Sequence, residues 1–235
     1  HNFDPVSFLQ TIRNMMDDET LVFIQTSQAD MIKNNEFDTI YHEHISFYNI
    51  KSMNELCKRM NLYLIDVNKC PLHGNSYIFT ISMDQNKARP AHIDNLIFME
   101  GLSGLYFLET YVEYTKKCNK VKDDLIRTIN EYTQPPVHFW TIGYGAAAKG
   151  MTLLNYTGVK LDYVIDDNPL KQGKFTPGSS IEIVSSDKLL ELNDPILFVP
   201  LAWNFFDEIR DKIKTKRDNQ YDKFVKYFPN VRVTD

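Results

Sequence analysis

The sequence predicts an α/β protein in two parts joined by one long helix. Three observations carry that expectation. A helix signal and then a short apolar run open the chain, and a stripe of apolar residues at helical spacing fills residues 107–129. After Gln134-Pro135-Pro136, strand and helix signals alternate to the end.

Asp4-Pro5 reads as an N-cap followed by proline in the first turn. Val6, Leu9, Ile12 and Met16 then follow at helical spacing, which predicts a helix to about Met16. Leu21-Val22-Phe23-Ile24 has strand character. Residues 38–48 mix aromatics with histidines, and Met53, Leu56, Cys57 and Met60 mark a short amphipathic helix. Strand-like runs at 63–67 and 77–81 are joined by Pro71-Leu72-His73-Gly74-Asn75, a loop composition. The polar residues 84–90 close this first region. Phe107, Tyr111, Tyr114, Cys118, Val121, Leu125 and Ile129 then recur every three or four positions. They predict a helix over 105–131, ~40 Å long, which would brace two domains and end at the prolines. Beyond it come a strand at 137–142, a glycine turn at 143–148 and a helix at 149–156. Strands at 161–165 and 196–199 follow, with 231–233 as a fourth, so the last hundred residues read as a small doubly wound domain.

At 235 residues the chain exceeds the usual single domain, and its 43% hydrophobic and 24% charged residues exclude a disordered or collagen-like protein. A net charge of −5 gives no general attraction for nucleic acid, although a local anion site remains open. Three cysteines without a C-x-x-C make neither a complete disulfide framework nor a zinc motif, and they fit a reducing, cytoplasmic setting. The longest apolar stretch, 195–206, falls far short of the ~20 residues of a membrane span, so no membrane partner is expected. The chain opens on a helix before its first strand, which reads as the middle of an α/β domain.

Several residue groups have the pattern that chemistry requires. Gly143-x-Gly145-x-x-Ala148 lies between a strand and a helix, with Asp166 and Asp167 about twenty residues on. Glycine permits a tight turn and close approach of a phosphate, the helix amino end adds positive potential, and Lys149 adds a full charge. By itself this is a dinucleotide fingerprint with an aspartate on a ribose hydroxyl. The plainer alternatives are a turn that packs helix on strand and aspartates that cap Asn168-Pro169. In Tyr41-His42-Glu43-His44, an extended backbone would put His42 and His44 on one face. With no third ligand at motif spacing, a metal is not expected; a histidine base suits the segment, and so does a packed loop. His73-Gly74-Asn75-Ser76 is a polar turn. Asn155-Tyr156-Thr157 matches a glycosylation acceptor but lies on a predicted helix.

Together these segments resemble the sugar C-methyltransferase family, which methylates carbon in nucleotide-linked keto-deoxysugars. The resemblance is carried by Glu36-Phe37-Asp38-Thr39-Ile40-Tyr41-His42-Glu43-His44-Ile45-Ser46-Phe47-Tyr48 and His73-Gly74-Asn75-Ser76. It continues through Gly143-Tyr144-Gly145-Ala146-Ala147-Ala148-Lys149-Gly150, and through Asp167-Asn168-Pro169 to Lys171-Gln172-Gly173-Lys174-Phe175-Thr176-Pro177-Gly178. It implies the C-terminal half of a Rossmann-like, S-adenosylmethionine-dependent methyltransferase domain (1–85, truncated), a helical linker (86–134) and a Rossmann-like nucleotide-sugar-binding domain (135–235). It also implies a parent enzyme whose zinc-binding module and S-adenosylmethionine loop are missing here, so that this portion would be inactive without that N-terminal half and would expose a sheet edge.

By the same resemblance, His44 is the base that removes the proton next to the ketone. Tyr41 and Glu43 position the substrate or the imidazole, and His1 stands where the family often carries another active-site histidine. His73, Asn75 and Ser76 bind substrate. Gly143, Tyr144, Gly145, Ala146, Ala147 and Lys149 grip the diphosphate of a dTDP-sugar, with Asp167, Asn168 and Lys171 near the nucleotide. Two other readings stand beside this one. The first is an NAD-dependent oxidoreductase or epimerase, which needs a Tyr-x-x-x-Lys or similar pair that Tyr111 and Lys116 miss by one residue. The second is a nucleotide-sugar-binding module without catalysis.

Overall fold

The computed structural model describes residues 1–27, 29–72, 74–136 and 138–235. Its elements in chain order are α1 (Pro5–Arg13), β1 (Val22–Thr26), α2 (Met31–Asn34), α3 (Ile50–Arg59), β2 (Tyr63–Cys70), β3 (Ser76–Ser82), α4 (Pro90–Leu102) and α5 (Leu108–Thr133). There follow β4 (Trp140–Tyr144), α6 (Ala148–Thr157), β5 (Tyr163–Ile165), β6 (Ile183–Val184), β7 (Ile196–Pro200), α7 (Phe206–Lys216), β8 (Lys223–Lys226) and β9 (Arg232–Thr234).

The chain divides into two compact units. One comprises His1–Lys33 and His42–Tyr114, the other Asn34–Tyr41 and Thr115–Asp235. This division cuts across the expected 1–85, 86–134 and 135–235 segments, because eight residues from the first part of the sequence are built into the second unit.

The first unit holds an antiparallel sheet in the order β1-β3-β2. Phe79 and Ile81 of β3 are fully buried and pack with Met53 and Cys57 of α3 and Ile93 of α4. Each such aliphatic or aromatic side chain contributes roughly 2 kcal/mol by leaving water. Among the described residues β1 pairs on one side only, and its Phe23 is 64% exposed. Asp4 caps α1 by accepting the Ser7 N–H at 3.0 Å, as the sequence suggests, although the helix ends at Arg13 rather than Met16.

α4 is absent from the sequence expectation, which treats 84–90 as the end of the region. Proline opens it and only Ile93 and Glu100 are buried, so no apolar stripe announces it. α5 matches its predicted helix within three residues, and Cys118, Val121, Leu125 and Ile129 are buried along one face.

The second unit is a six-stranded sheet in the order β6-β5-β4-β7-β8-β9, parallel except for β9. Strand order reverses between β4 and β7, which places a topological switch point at their carboxyl ends. Phe206, Ile209 and Ile213 of α7 cover Ile142, Phe198 and Phe224. The fold is therefore α/β with a parallel-rich, Rossmann-like C-terminal sheet. β6, α7 and β8 are additions to the expected elements. The strand expected at 137–142 is observed at Trp140–Tyr144, with Val137 outside the described residues. No helix among the described residues is long and apolar enough to cross a membrane.

Candidate functional site

In the first unit, sequence-distant polar residues meet at the carboxyl end of β1. Ser27, just past the strand, lies with its Oγ 3.4 Å from His44 Nε2. The His1 ring stands 5.0 Å from the His44 ring, tilted by 49°, and Phe47 meets His44 edge-on at 6.3 Å. His44 is half-buried, whereas His42 and Glu43 form an exposed turn. The extended segment with alternating faces is thus corrected: a 3-10 turn at Phe37–Thr39 and the turn at 42–43 replace it. Tyr41 belongs to the second unit.

Two strand positions before Ser27, Gln25 donates to Ser76 Oγ at 3.1 Å, and Ser76 itself donates to the Leu72 carbonyl at 2.9 Å. Asn75 donates to Asp30 Oδ2 at 2.8 Å, and Lys69 pairs with the other oxygen at 2.8 Å. Ser76 is fully buried, so its hydroxyl and the Asn75 amide brace the loop after β1. His73 lies outside the described residues. Ser27, Gln25 and Asp30 carry no motif and went unnoticed in the sequence.

In the second unit the glycine turn sits at the switch point. Gly145 has φ +96, which glycine adopts at little cost. A Cβ on Gly150 would stand 2.7 Å from Leu201 Cβ, so close packing of α6 on the sheet rests on Gly150 rather than on Ala148. Gly143 lies inside β4, enclosed by Leu161, Val164 and Leu201. The α6 amino end has no side-chain cap, since Ala147 occupies the N-cap. Lys149 lies in the first turn of α6, whose first N–H groups have no intrahelical acceptor, and its ammonium stands 4.8 Å from the centre of the Trp203 ring.

The aspartates behind the turn are engaged within the fold. Asp166 Oδ2 accepts the Ala146 N–H at 2.8 Å and the Lys171 ammonium at 3.0 Å, while Oδ1 accepts the Asn168 N–H at 2.9 Å. Lys171 also donates to the Ala146 carbonyl at 2.8 Å. The ribose role of the bare fingerprint therefore does not suit Asp166, which is 8% exposed and caps the following turn. Asn168 Oδ1 likewise accepts the Leu170 N–H at 3.0 Å.

Asp167 is held by the Tyr144 hydroxyl at 3.0 Å and by Lys212 at 2.6 Å. Lys212 and Tyr144 hold its carboxyl below the usual range against the opposing effect of burial. Lys212 comes from α7, an element missing from the sequence expectation. Trp203, directly after β7, was also overlooked; an aromatic at the carboxyl end of a parallel strand is the signal that marked it.

Tyr156 and Lys160 do have the Tyr-x-x-x-Lys spacing, unlike Tyr111 and Lys116. Gly158 at φ +70 ends α6 between them, and the Tyr156 hydroxyl donates to Asn119 at 2.7 Å, so they do not share a helical face. Asn155 donates to the Met151 and Pro177 carbonyls. Among the described residues, no group of three or more His, Cys, Asp or Glu is placed to hold a metal.

The second unit belongs to the broad class of doubly wound α/β domains, with a helix amino end that lacks a side-chain cap at its switch point. The comparison with known families is narrower: the family model of the C-methyltransferase C-terminal domain matches residues 71–229. The chain belongs to that family. It is also 29% identical over 231 residues to the C-methyltransferase NovU of Streptomyces niveus, covering 96% of this chain and 54% of that protein. The chain thus spans about half the length of that curated relative.

Proposed function

We propose that the chain is the substrate-holding C-terminal portion of an S-adenosylmethionine-dependent C-methyltransferase that acts on a nucleotide-linked keto-deoxysugar, in the first instance a dTDP-4-keto sugar. The observation that carries this reading is the uncapped amino end of α6 with Lys149 beside it. A diphosphate there would accept hydrogen bonds from the N–H groups of Ala148 and Lys149 and be met by the Lys149 charge. Ala146, Lys171 and Asp166 act behind this cradle by pinning the turn. Asp167, steadied by Tyr144 and Lys212, is half-exposed and suits a donor such as a ribose hydroxyl.

In the first unit, His44 removes the proton from the carbon next to the ketone, and the electron pair of the broken C–H bond passes to the carbonyl oxygen as an enolate. Ser27 steadies the imidazole through Nε2, and His1 donates toward the developing oxyanion. The enolate carbon is the nucleophile for methyl transfer. Retained structural polar networks around Asp166 also suit the rival module that binds without catalysis.

Calorimetric titration of the chain with dTDP-glucose, NAD and S-adenosylmethionine in parallel tests the proposal. Binding of the dTDP-sugar alone is expected. Binding of NAD in its place would overturn the reading in favour of an oxidoreductase.

A further inference from the structure

Asp30 ties three segments of the first unit together. Its Oδ1 takes the Lys69 ammonium, from the end of β2, at 2.8 Å, and its Oδ2 takes the Asn75 side-chain amide at 2.8 Å. The Asn75 carbonyl accepts the Ala29 N–H at 3.0 Å, which carries the pairing of β1 with β3 past Thr26 and Tyr77. Asn75 therefore stands beside the short loop whose Ser27 meets His44.

A primary amide has two ends of opposite chemistry, and a carboxylate oxygen only accepts. Asp30 consequently dictates which end of Asn75 faces it: the NH2 group. Among the described residues nothing bonds the other end, Oδ1, and Asn75 is half-buried rather than sealed in the core. Lys69 clamps the second oxygen of Asp30, with its ammonium also 5.7 Å from the centre of the Tyr77 ring. The carboxylate is thus held from both sides, and the Asn75 oxygen is turned away from it.

We propose that Asp30 is a positioning residue for substrate: it turns the Asn75 amide so that Oδ1 is presented to a hydroxyl of the sugar. The inference rests on the nucleotide-sugar reading above for the identity of that ligand. The hydroxyl donates, and the Asn75 oxygen accepts.

The polarity of the Asp30–Asn75 bond can be reversed with every hydrogen bond kept. In Asp30→Asn, Lys69 still requires an acceptor and takes the new carbonyl oxygen. The new NH2 group then faces Asn75 and draws its oxygen inward. The Asn75 amide flips, and a donor is shown where an acceptor stood. Adding Asn75→Asp returns the acceptor: one carboxylate oxygen binds the new amide at position 30 and the other faces outward. Lys69 is half-exposed, so exchanging its carboxylate for a carbonyl costs little stability.

Calorimetry compares dTDP-glucose with dTDP, so that the sugar's own contribution is the difference between them. Asp30→Asn should leave dTDP affinity and the urea midpoint unchanged and weaken dTDP-glucose binding about fivefold, the size of one hydrogen bond. The double variant should recover the loss. Side-chain ¹⁵N spectra report the flip itself: the slowly exchanging NH2 pair should be that of Asn75 in the wild type and that of position 30 in Asp30→Asn.

A brace with only a structural role leaves dTDP-glucose affinity unmoved in Asp30→Asn. That result, or a double variant that folds without recovering the loss, overturns the proposal. Should the double variant not fold, Asn75→Ala serves: it removes the oxygen and should match Asp30→Asn in dTDP-glucose affinity, and a wild-type affinity there overturns the proposal. Equal wild-type affinity for dTDP-glucose and dTDP overturns it too and leaves the diphosphate reading intact. Binding of neither ligand overturns the diphosphate reading and this proposal with it.

Discussion

Asp166 and Ala146, twenty residues apart, are joined by a hydrogen bond of 2.8 Å from the Ala146 N–H to Asp166 Oδ2. The glycine turn is therefore braced from behind by a side chain that the bare motif assigns to a ligand. Lys171 completes the brace by bridging Asp166 Oδ2 and the Ala146 carbonyl.

Asp166→Ala should accordingly destabilise the second unit. It leaves the Ala146 and Asn168 N–H groups without their acceptor and strips Lys171 of its carboxylate, a loss of about 3 kcal/mol. Urea unfolding followed by far-ultraviolet circular dichroism measures it. A change within ±0.5 kcal/mol would show that the brace carries no weight.

Lys149 and His44 should separate binding from chemistry. Lys149→Ala should weaken dTDP-sugar binding by about tenfold or more, the loss of one charge-assisted contact. His44→Ala should leave binding nearly unchanged and abolish turnover in the full-length enzyme. Calorimetry reads the first and a methyl-transfer assay the second; equal loss of binding in both variants contradicts the division of roles.

Glu100 closes the amino end of α3 from fifty residues away. It accepts the Ile50 N–H at 2.8 Å and the Lys51 N–H at 3.2 Å, and the Tyr106 hydroxyl donates to it at 2.6 Å. Glu100→Ala should cost about 2–3 kcal/mol in the first unit, and Glu100→Gln should recover part of this because its carbonyl oxygen still accepts. Denaturant midpoints of the two variants decide it.

Burial raises the carboxyl of Asp38, which has a signature in stability. The folded state holds the proton up to about 7 while an unfolded aspartate releases it near 3.8. The stabilising contribution is full below the unfolded value, falls as pH rises and is lost above about 7, an effect of up to ~4 kcal/mol. Asp38→Asn should flatten this slope between pH 4 and 8. Thermal unfolding across that range checks it, and an unchanged slope would place the titration elsewhere.

Much of the architecture is written in local patterns. The α5 stripe at Cys118, Val121, Leu125 and Ile129 faces inward because a 3.6-residue repeat puts those positions on one side of any helix they form. The strand, glycine turn and helix from β4 to α6 are legible for a similar reason: Gly145 marks a backbone conformation other residues resist. The α7 face, Phe206, Ile209 and Ile213, has the same helical spacing and was open to the same reading. α4 was not, since its apolar residues surround the helix instead of forming a stripe.

The candidate site divides along the same line. Histidine, lysine and glycine motifs named the chemistry available, because titration, charge and backbone freedom are properties of a residue type. Which groups reach a ligand depends on partners far away in the chain. Asp166, Asn75 and Ser76 turned inward to satisfy backbone and side-chain donors, since a buried polar group without a partner costs more than a lost contact at the surface. Asp38 was equally illegible: nothing local distinguishes it, and only the insertion of residues 34–41 into the second unit brings it to Trp203. Local periodicity determines the elements, and long-range burial decides which of their polar groups remain for function.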